Sequence, residues 1–358
     1  MAHEFGNDPH KIERYRTFWN REAVERPLIG FSTLTWFPLD EFSASAAWLQ
    51  NAPLTPDMVN PELFLDEHEE KLREGEWMDD DMIRGCSPSQ AVFWCCGTLG
   101  CEMRVLPGNV VCVDRNLDWD EVLGFKVDLG HPWFQKYLAY IDALVKRSAG
   151  RFPVSHGMLM GPLDFAVALR GHEQIVYDMW EEPKKAARLL REMGDVFILF
   201  TQEAWKRIPT FMDGYYDTQY RLWAPDTTAR MQEDAIAVMS PALYSEFIQP
   251  VDRKVGGTFQ YPFMHLHATS MIVIDQLLEV DEIKAFEVNH DVGGPAIEEM
   301  IPHMQKIQKA GKGLIIRGEL TTEEARKVMD GLDPVGLFLH LMVKDRKQSD
   351  CLRPIVGM

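Results

Sequence analysis

The sequence predicts an α/β protein, a single (β/α)8 TIM-type barrel with an N-terminal extension and inserted loops. From residue 152 onward, six short apolar strand candidates alternate with helical patterns, which is typical of parallel strands joined by crossover helices. No candidate strand is followed by GxGxxG or GxxxxGK[ST], the phosphate-binding turns of many open parallel sheets. The alternation fits either a closed barrel or a doubly wound open sheet; the absence of these turns, and the six units that leave two for the first 150 residues, favour the barrel.

The strand candidates are apolar runs bounded by Gly, Pro or polar residues. In the second part of the chain they cover residues 152–159, 211–216, 261–267, 283–288, 313–317 and 336–340. The first part supplies 27–33 and 110–113, with 91–96 as a third candidate. A barrel needs eight strands. The second part of the chain supplies six candidates, so the prediction depends most on whether the first part supplies the other two.

The intervening helices carry start signals. Ser240 caps a helix whose first position is Pro241, where the missing N–H is not needed. Thr321 and Glu324 have capping-box spacing, which satisfies two free backbone donors of a helix end. After Pro183, apolar residues at three-to-four spacing predict a long helix with one buried stripe.

The length of 358 residues exceeds the roughly 250 of a plain barrel, which leaves about 100 for additions. Residues 36–82 are rich in Pro, Trp and acidic side chains without a clear period. We therefore predict one domain over residues 1–358, with 1–90 as the N-terminal extension and first strand.

The charge of the chain excludes several classes of partner. There are 37 Lys and Arg against 55 Asp and Glu, a formal net charge of −18, which opposes binding to nucleic acid or an anionic membrane surface. There is no apolar run of membrane-spanning length and no signal-like N-terminus, so we expect a cytoplasmic protein. The six cysteines include no CxxC pair, which favours reduced, mostly buried thiols over an iron–sulfur site.

Reacting groups of a parallel barrel lie where strands end and βα loops begin. The polar residues at the predicted ends are His156, Tyr215, Tyr216, Asp217, His265, His267, Asn289, His290, Asp291, Glu319 and His340. Buried imidazoles each need a partner, so five histidines at such positions indicate a functional edge.

His265-Leu266-His267 is the sharpest local pattern. Residues i and i+2 of a strand point the same way, so both imidazoles can approach one ion. Glu319, two strands later, is the expected third ligand, with one position left open as in catalytic zinc sites. The alternative is a metal-free site in which one histidine bonds a backbone carbonyl and the other lines a pocket.

Other strand-end residues are candidates for catalysis or substrate binding. His290, Asp217 and Tyr216 are candidate acids or bases, and Asp234 either faces the site or is an exposed charge. Candidate substrate-binding residues are His156, Tyr215, Asn289, Trp36, Trp94 and His340, although core packing is the commoner use of the tryptophans. The acidic run 76–81 is interpreted as a solvated turn rather than a cation site.

Several segments together resemble the uroporphyrinogen decarboxylase superfamily over roughly residues 150–345. They are Gly161-Pro-Leu163, Gly171-His-Glu173 with 178–183, Gln232-Glu-Asp-Ala235, Ser240-Pro241 to Pro250, His265-Leu-His267 and Leu332-Asp-Pro334. The resemblance implies a (β/α)8 barrel acting as a heme-pathway decarboxylase or a cobalamin-dependent methyltransferase.

The chain departs from both branches. The decarboxylases hold their polycarboxylate substrate with an early RQAGR motif, whereas the first strand here reads Arg26-Pro-Leu-Ile-Gly-Phe-Ser-Thr33. The zinc-dependent methyltransferases use His-x-Cys and a later Cys, which His265-x-His267 and Glu319 replace with nitrogen and oxygen ligands. These ligands are harder and suit an oxygen or amine group better than a thiol.

The resemblance therefore implies a methyltransferase that moves a methyl group between a small methoxy or methylamine substrate and a corrinoid on a partner protein. Zinc is the expected metal, and a homodimer is an expected assembly. The alternative function is a metal-free decarboxylase or lyase acting on a small acid. A third interpretation is a non-catalytic barrel that binds a corrinoid or tetrapyrrole.

Overall fold

The computed structural model describes residues 4–33, 38–48, 52–157 and 160–358. Within them the strands are β1 Leu28–Ser32, β2 Pro53–Leu54, β3 Glu102–Leu106, β4 Asn109–Val113, β5 Tyr215–Asp217, β6 Leu222–Ala224, β7 Arg230–Gln232, β8 Phe263–Leu266, β9 Ala285–His290, β10 Gly313–Gly318 and β11 Leu337–Met342. The α-helices are α1 His10–Asn20, α2 Leu65–Leu72, α3 Glu74–Met78, α4 Trp94–Thr98, α5 Trp119–Gly124, α6 Pro132–Ser148, α7 Pro162–Arg170, α8 His172–Glu181, α9 Pro183–Trp205, α10 Pro241–Leu243, α11 Gln249–Gly256, α12 Ile274–Leu278, α13 Ile297–Lys309, α14 Thr322–Gly331 and α15 Arg346–Val356.

Six strands form one parallel sheet in the order β1-β11-β10-β9-β8-β7. Helices α13 and α14 connect β9 to β10 and β10 to β11, so the predicted α/β class and its alternation of strand and helix are confirmed here. The first strand of the chain lies beside the last one, as in a barrel. Closure into eight strands stays a prediction.

The first part of the chain departs from the predicted strand count. Residues 110–113 belong to β4, which pairs antiparallel with β3 in a separate three-stranded sheet. Only Pro107 and Gly108 separate β3 from β4, and so short a connection permits only antiparallel pairing. Residues 94–96 of the third candidate lie in α4.

The sequence also placed one central strand wrongly. Within residues 211–216, β5 begins at Tyr215, and it pairs antiparallel with β6. The strand that continues the parallel sheet is β7, which pairs with β8. This segment reads Arg-Met-Gln and has no apolar run, because two of its three side chains point to a polar interior.

The parallel sheet has two chemically different faces, because side chains alternate along each strand. On the outer face, Met264 and Leu266 of β8 belong to the main apolar core. On the inner face, the amino ends of the strands share a second apolar cluster with Tyr15 and Phe18 of α1. Its sheet members are Leu28, Phe263, Ala285, Ile315 and Phe338. Polar residues take over the same face two positions later, at the carboxyl ends.

Two buried aspartates fix the edge of β1, which corrects the expectation of a solvated acidic turn. Asp80 accepts the backbone N–H of Phe31 at 2.8 Å and two hydrogen bonds from Arg84, both at 2.8 Å. Asp81 accepts the N–H of Ile29 at 2.9 Å and pairs with Arg26. Burial alone would raise the pKa of Asp80, but the attached Arg84 guanidinium lowers it.

The cysteines are free thiols, as predicted, and Cys86, Cys95, Cys96 and Cys101 are buried. Among the helices in the described ranges, none combines the length and apolar character needed to cross a bilayer.

Candidate metal centre

Adjacent strands β7 and β8 bring one carboxylate and two imidazoles together. Gln232 and His265 are register partners, so Asp234 and His267, each two residues further on, follow at the same level. Ligand atoms of Asp234, His265 and His267 all lie within 4.8 Å of one another. The two Nε2 atoms are 3.1 Å apart, and His267 Nε2 lies 3.9 Å from Asp234 Oδ1. The two histidines thus converge as their spacing predicts.

The Nδ1 atom of each imidazole is hydrogen-bonded to a carboxyl group. His265 Nδ1 bonds Glu287 Oε2, and Glu287 is the register partner of His265 on β9. His267 Nδ1 lies 2.7 Å from Asp291 Oδ1. Asp291 is itself fixed by Asn289 Nδ2 at 2.6 Å and by the N–H of Ala268 at 3.2 Å. A carboxylate on Nδ1 fixes the ring and directs Nε2 towards an ion, the usual support of histidine ligands.

Burial and neighbouring charges shift the pKa values of the two imidazoles in opposite directions. Burial, followed by the nearby His267, lowers the pKa of His265 to about 3, so this ring is neutral. The hydrogen bond with Asp291 raises the pKa of His267. Burial would raise the pKa of Asp291, but hydrogen bonds from His267 and Asn289 lower it to about 2. The neutral His265 ring can therefore bind an ion directly, whereas an ion must displace a proton from His267.

Burial also raises the pKa of Glu287 to about 8, although Arg317 and His267 oppose this shift. Near neutral pH the shared proton of the His265–Glu287 pair therefore belongs mainly to the carboxyl group. An ion on His265 Nε2 would favour the carboxylate form, which accepts Nδ1–H.

The carboxylate in this group is Asp234, and the predicted ligand Glu319 is not a member of it. Glu319 follows β10, and β9 separates β10 from β8, a distance of roughly 10 Å for two strand spacings. Asp234 instead follows the neighbouring strand β7. Gln232 Nε2 donates to Asp234 Oδ2 at 2.6 Å, which orients the carboxylate.

The chain matches no family model and no curated protein. The uroporphyrinogen decarboxylase superfamily therefore stays a prediction from sequence motifs.

Asn289 and His340 share the inner face of the sheet with the metal group. Asn289 Oδ1 accepts from Arg317 Nη1 at 3.3 Å, and its amide nitrogen holds Asp291. His340 is the register partner of Arg317, and its Nε2 lies 2.8 Å from Ser32 Oγ. Asn289 therefore lies next to the candidate centre and acts on it through Asp291, whereas His340 shares the sheet face on β11, three strands from β8.

Three predicted residues near β5 are engaged in internal hydrogen bonds. Tyr216 donates its O–H to the carbonyl of Ile83 at 2.7 Å, and burial raises its pKa to about 12. Asp217 Oδ1 accepts the N–H of Tyr220 at 2.9 Å. His156 Nδ1 lies 2.7 Å from the Gly157 carbonyl, and burial lowers its pKa to about 4. The predicted roles of Tyr216 and Asp217 in proton transfer gain no geometric support.

The remaining predicted residues lie away from the metal group. Tyr215 is half-buried and packs edge-on against Trp205, with ring centroids 4.8 Å apart. His290 lies on the opposite face of β9 from Glu287, and its Nδ1 is 2.9 Å from the Glu319 carbonyl. Trp94 is buried among Trp133, Tyr137 and Tyr140, which is core packing. Trp36 lies outside the described residues.

Sequence reasoning missed four residues of this interior: Glu287, Tyr220, Arg230 and Arg317. The alternation Glu287-x-Asn289-x-Asp291 carried a readable signal, since it predicts three polar side chains on one face of a strand. Arg230 of β7 and Arg317 of β10 lie on the same inner face of the sheet, because side chains alternate between the two faces of a strand. Tyr220 lies in the turn between β5 and β6, where no sequence period marks it.

A cavity of about 630 Å³ opens beside the metal group. Gln232 and Asp234 form one part of its wall, and most of the rest is apolar. The apolar lining includes Phe93, Val110, Val111, Met160, Val167, Ala168, Ala235 and Val238. A cavity of this volume fits a small substrate with an apolar part, and Asp234 connects it to the two imidazoles.

Proposed function

We propose that this protein is a metal-dependent methyltransferase that moves a methyl group from a small methoxy or methylamine substrate to a corrinoid on a partner protein. The observation that carries the metal requirement is the group Asp234, His265 and His267, with both Nδ1 atoms supported by carboxylates. The choice of methyl transfer rests on the sequence resemblance.

The donor set fits zinc. Two imidazole nitrogens and one carboxylate are the protein ligands of several catalytic zinc sites. Nε2 atoms 3.1 Å apart are compatible with two Zn–N bonds of roughly 2.0–2.1 Å each. The side chains of Asp234 and His267 are 41% and 37% exposed, so a substrate atom can reach the group from the cavity.

A bound zinc ion would act as a Lewis acid on the substrate oxygen or nitrogen that loses the methyl group. The chain supplies the positioning. Glu287 and Asp291 fix the two rings, Gln232 orients Asp234, and the cavity wall shields the apolar part of the substrate from water. The methyl group would pass to the reduced cobalt of the partner's corrinoid as the C–O or C–N bond breaks, and the departing alkoxide or amine would take up a proton from solvent.

Exposed apolar side chains on the segments that carry the metal group support the proposal of a partner protein. Val238, Ile272 and Val292 are 71%, 59% and 78% exposed, and they lie on the segments that follow β7, β8 and β9. Exposed apolar residues beside a site are typical of contact surfaces. A chain of net charge −18 would dock an acidic corrinoid protein through such a local patch rather than by overall attraction.

We further propose that the sheet closes as an eight-stranded barrel. An isolated parallel bridge joins Cys86 to Val154, at the places where a second and a third barrel strand would lie between β1 and β7. This arrangement would put all strand-end groups around one opening, which a corrinoid must approach for methyl transfer.

The test is to incubate the purified protein with a reduced corrinoid protein and a panel of methoxy and methylamine substrates. We expect methyl-cobalamin to form with at least one substrate and to disappear in His267→Ala. His10→Ala is a matched control, since His10 is an exposed histidine at the other end of the chain. Silence across a broad panel by metal-loaded protein would contradict the proposal.

The alternative, a metal-free decarboxylase or lyase, predicts a different result. Activity on a small acid would then survive both chelation and His267→Ala. Metal content thus separates the two functions before any substrate is known.

A further inference from the structure

Arg230, on the inner face of β7, is buried with unused hydrogen-bond donors. Its side chain is 1% exposed. Nη1 donates to Gln219 Oε1, but Nε and Nη2 have no hydrogen-bond partner among the described residues. A buried, incompletely paired guanidinium is strongly unfavourable unless an anion completes it.

Other buried polar atoms without hydrogen-bond partners lie near Arg230. Tyr220 is fully buried, and its O–H has no partner in the described part of the chain. The guanidinium carbons of Arg230 and Arg317 lie 5.8 and 5.9 Å from the Tyr220 ring centroid. His340, the register partner of Arg317, is also fully buried with an unpartnered Nδ1. Two guanidinium groups, a phenol and an imidazole thus lie on the inner side of the sheet.

This interior adjoins the candidate metal centre. The His265 ring stacks on the Tyr220 ring, with centroids 5.5 Å apart. Among the nearby carboxyl groups, Glu287 Oε2 bonds His265 and Asp217 Oδ1 accepts from the backbone of Tyr220, while Glu287 Oε1 has no hydrogen-bond partner in the described part of the chain. No carboxylate of the described chain forms a hydrogen bond with Arg230.

Two other buried arginines show what pairing of a guanidinium with a carboxylate looks like here. Arg170 makes two hydrogen bonds to Asp178, at 2.8 and 2.9 Å, and Arg84 makes two to Asp80. Each of these guanidinium groups has its counter-ion built into the fold. Among the described residues Arg230 has no such counter-ion, which distinguishes it from these two structural arginines.

We propose that Arg230, Arg317 and Tyr220 bind the carboxylate of a small substrate whose methylated group lies at Asp234, His265 and His267. The second half of this proposal rests on the proposed function, whereas the carboxylate site does not. A planar guanidinium matches a carboxylate with two parallel hydrogen bonds. The substrates are therefore methoxy or methylamino carboxylic acids rather than neutral methyl donors.

The test is equilibrium binding to the metal-free protein, so that a carboxylate cannot bind to an ion instead. Methoxyacetate, benzoate and 4-methoxybenzoate are compared by calorimetry with their uncharged amides, with inorganic phosphate as a further arm. We expect at least one acid to bind at least about tenfold more tightly than its amide, a difference of about 1.4 kcal/mol. Stronger binding of phosphate than of every carboxylate would overturn the assignment of the ligand.

Variants separate binding from folding. Arg230→Met should abolish the preference for the acid while leaving the melting temperature unchanged or higher, because it removes an unsatisfied buried charge. Tyr220→Phe should weaken acid binding without loss of stability. Arg170→Met is the matched control and should lower the melting temperature, because Asp178 loses its partner, while the preference for the acid remains.

Two outcomes would overturn the carboxylate site: equal binding of acids and amides, or an acid preference that survives Arg230→Met. If methyl transfer occurs with neutral donors as readily as with acids, the site is wrong and the proposed function stands. If acids bind through Arg230 but no methyl transfer or metal is found, the site stands and the proposed function fails.

Discussion

Two buried groups of charged residues lie on this chain, and their hydrogen bonds differ. Around Asp80 and Asp81, the carboxylate oxygens are paired with Arg84, Arg26 and backbone N–H groups of β1. On the inner side of the parallel sheet, Arg230 of β7, Glu287 of β9 and Tyr220 of the turn between β5 and β6 retain unpartnered polar atoms. The first group holds a strand in place, and we propose that the second binds groups that the chain does not supply.

The difference teaches that burial of charge alone does not mark a functional site. Buried ions are tolerated when their partners are built in. Unsatisfied buried donors and acceptors are rare in folded proteins, so they need an explanation such as a ligand. In this chain the unsatisfied atoms of Arg230, Tyr220 and Glu287 lie beside the one group of metal-ligand geometry found among the described residues.

The largest expected effect is on the group around Asp80, whose carboxylate oxygens are hydrogen-bonded. Arg84→Met removes two hydrogen bonds from the buried Asp80 carboxylate and leaves Lys11, at 3.8 Å, as its nearby cation, so we expect the free energy of unfolding to fall by about 3–5 kcal/mol. Denaturant unfolding monitored by tryptophan fluorescence measures this change. A loss below about 1 kcal/mol would show that the pairing around Asp80 is not structural.

A smaller effect is expected from the support of the metal ligands. Asp291→Asn keeps the shape of the side chain but removes the charge that holds His267 Nδ1, so zinc affinity should fall by about 10–100-fold. Competition with a chelating dye measures the affinity. Asp226→Asn, on an exposed turn, is the control, and equal affinities of the two variants would contradict the role of Asp291.

The pH dependence of zinc affinity should follow His267. Its folded pKa is raised by Asp291 above the ordinary value of about 6.5. In the metal-free protein the ion pair therefore stabilises fully below about pH 6.5 and less as the pH rises through the folded pKa. Zinc requires the neutral ring, so its affinity should increase with pH in that range.

Affinity measurements from about pH 5 to pH 9 test this dependence. In Asp291→Asn the midpoint should move to lower pH, because the carboxylate no longer favours the imidazolium. A midpoint that is identical in the two proteins would show that another group controls proton release.

The smallest expected effect is at a solvent-exposed pair. Arg188 and Glu192 are joined at 2.8 Å on α9 with both side chains exposed. Arg188→Gln should change the free energy of unfolding by less than about 0.5 kcal/mol. Salt-dependent unfolding curves measure the difference, and a loss of several kcal/mol would mean that exposure does not distinguish these ion pairs.

The sequence predicted the parts of the fold that local patterns determine. Alternation after residue 152 identified β8 to β11, and period two on β8 identified the convergence of His265 and His267. The choice of Asp234 over Glu319 depends on which strands are neighbours in the sheet. No local sequence pattern reveals that strand order. β7 escaped prediction because its inner-face residues, Arg230 and Gln232, are polar.

The buried acids were misjudged for a related physical reason. Asp80 and Arg84 have the spacing of a local pair, but their burial depends on contacts with β1, which lies about fifty residues earlier in the chain. Acidic runs are usually solvated, and only the three-dimensional contacts with Phe31 and Ile29 show otherwise.

The metal content of the purified protein tests the central claim most directly. Elemental analysis after gentle purification should give about one zinc ion per chain, falling to background in the double variant His265→Ala/His267→Ala. Less than about a tenth of an equivalent, unchanged by that double substitution and by added zinc, would contradict a metal centre at Asp234, His265 and His267.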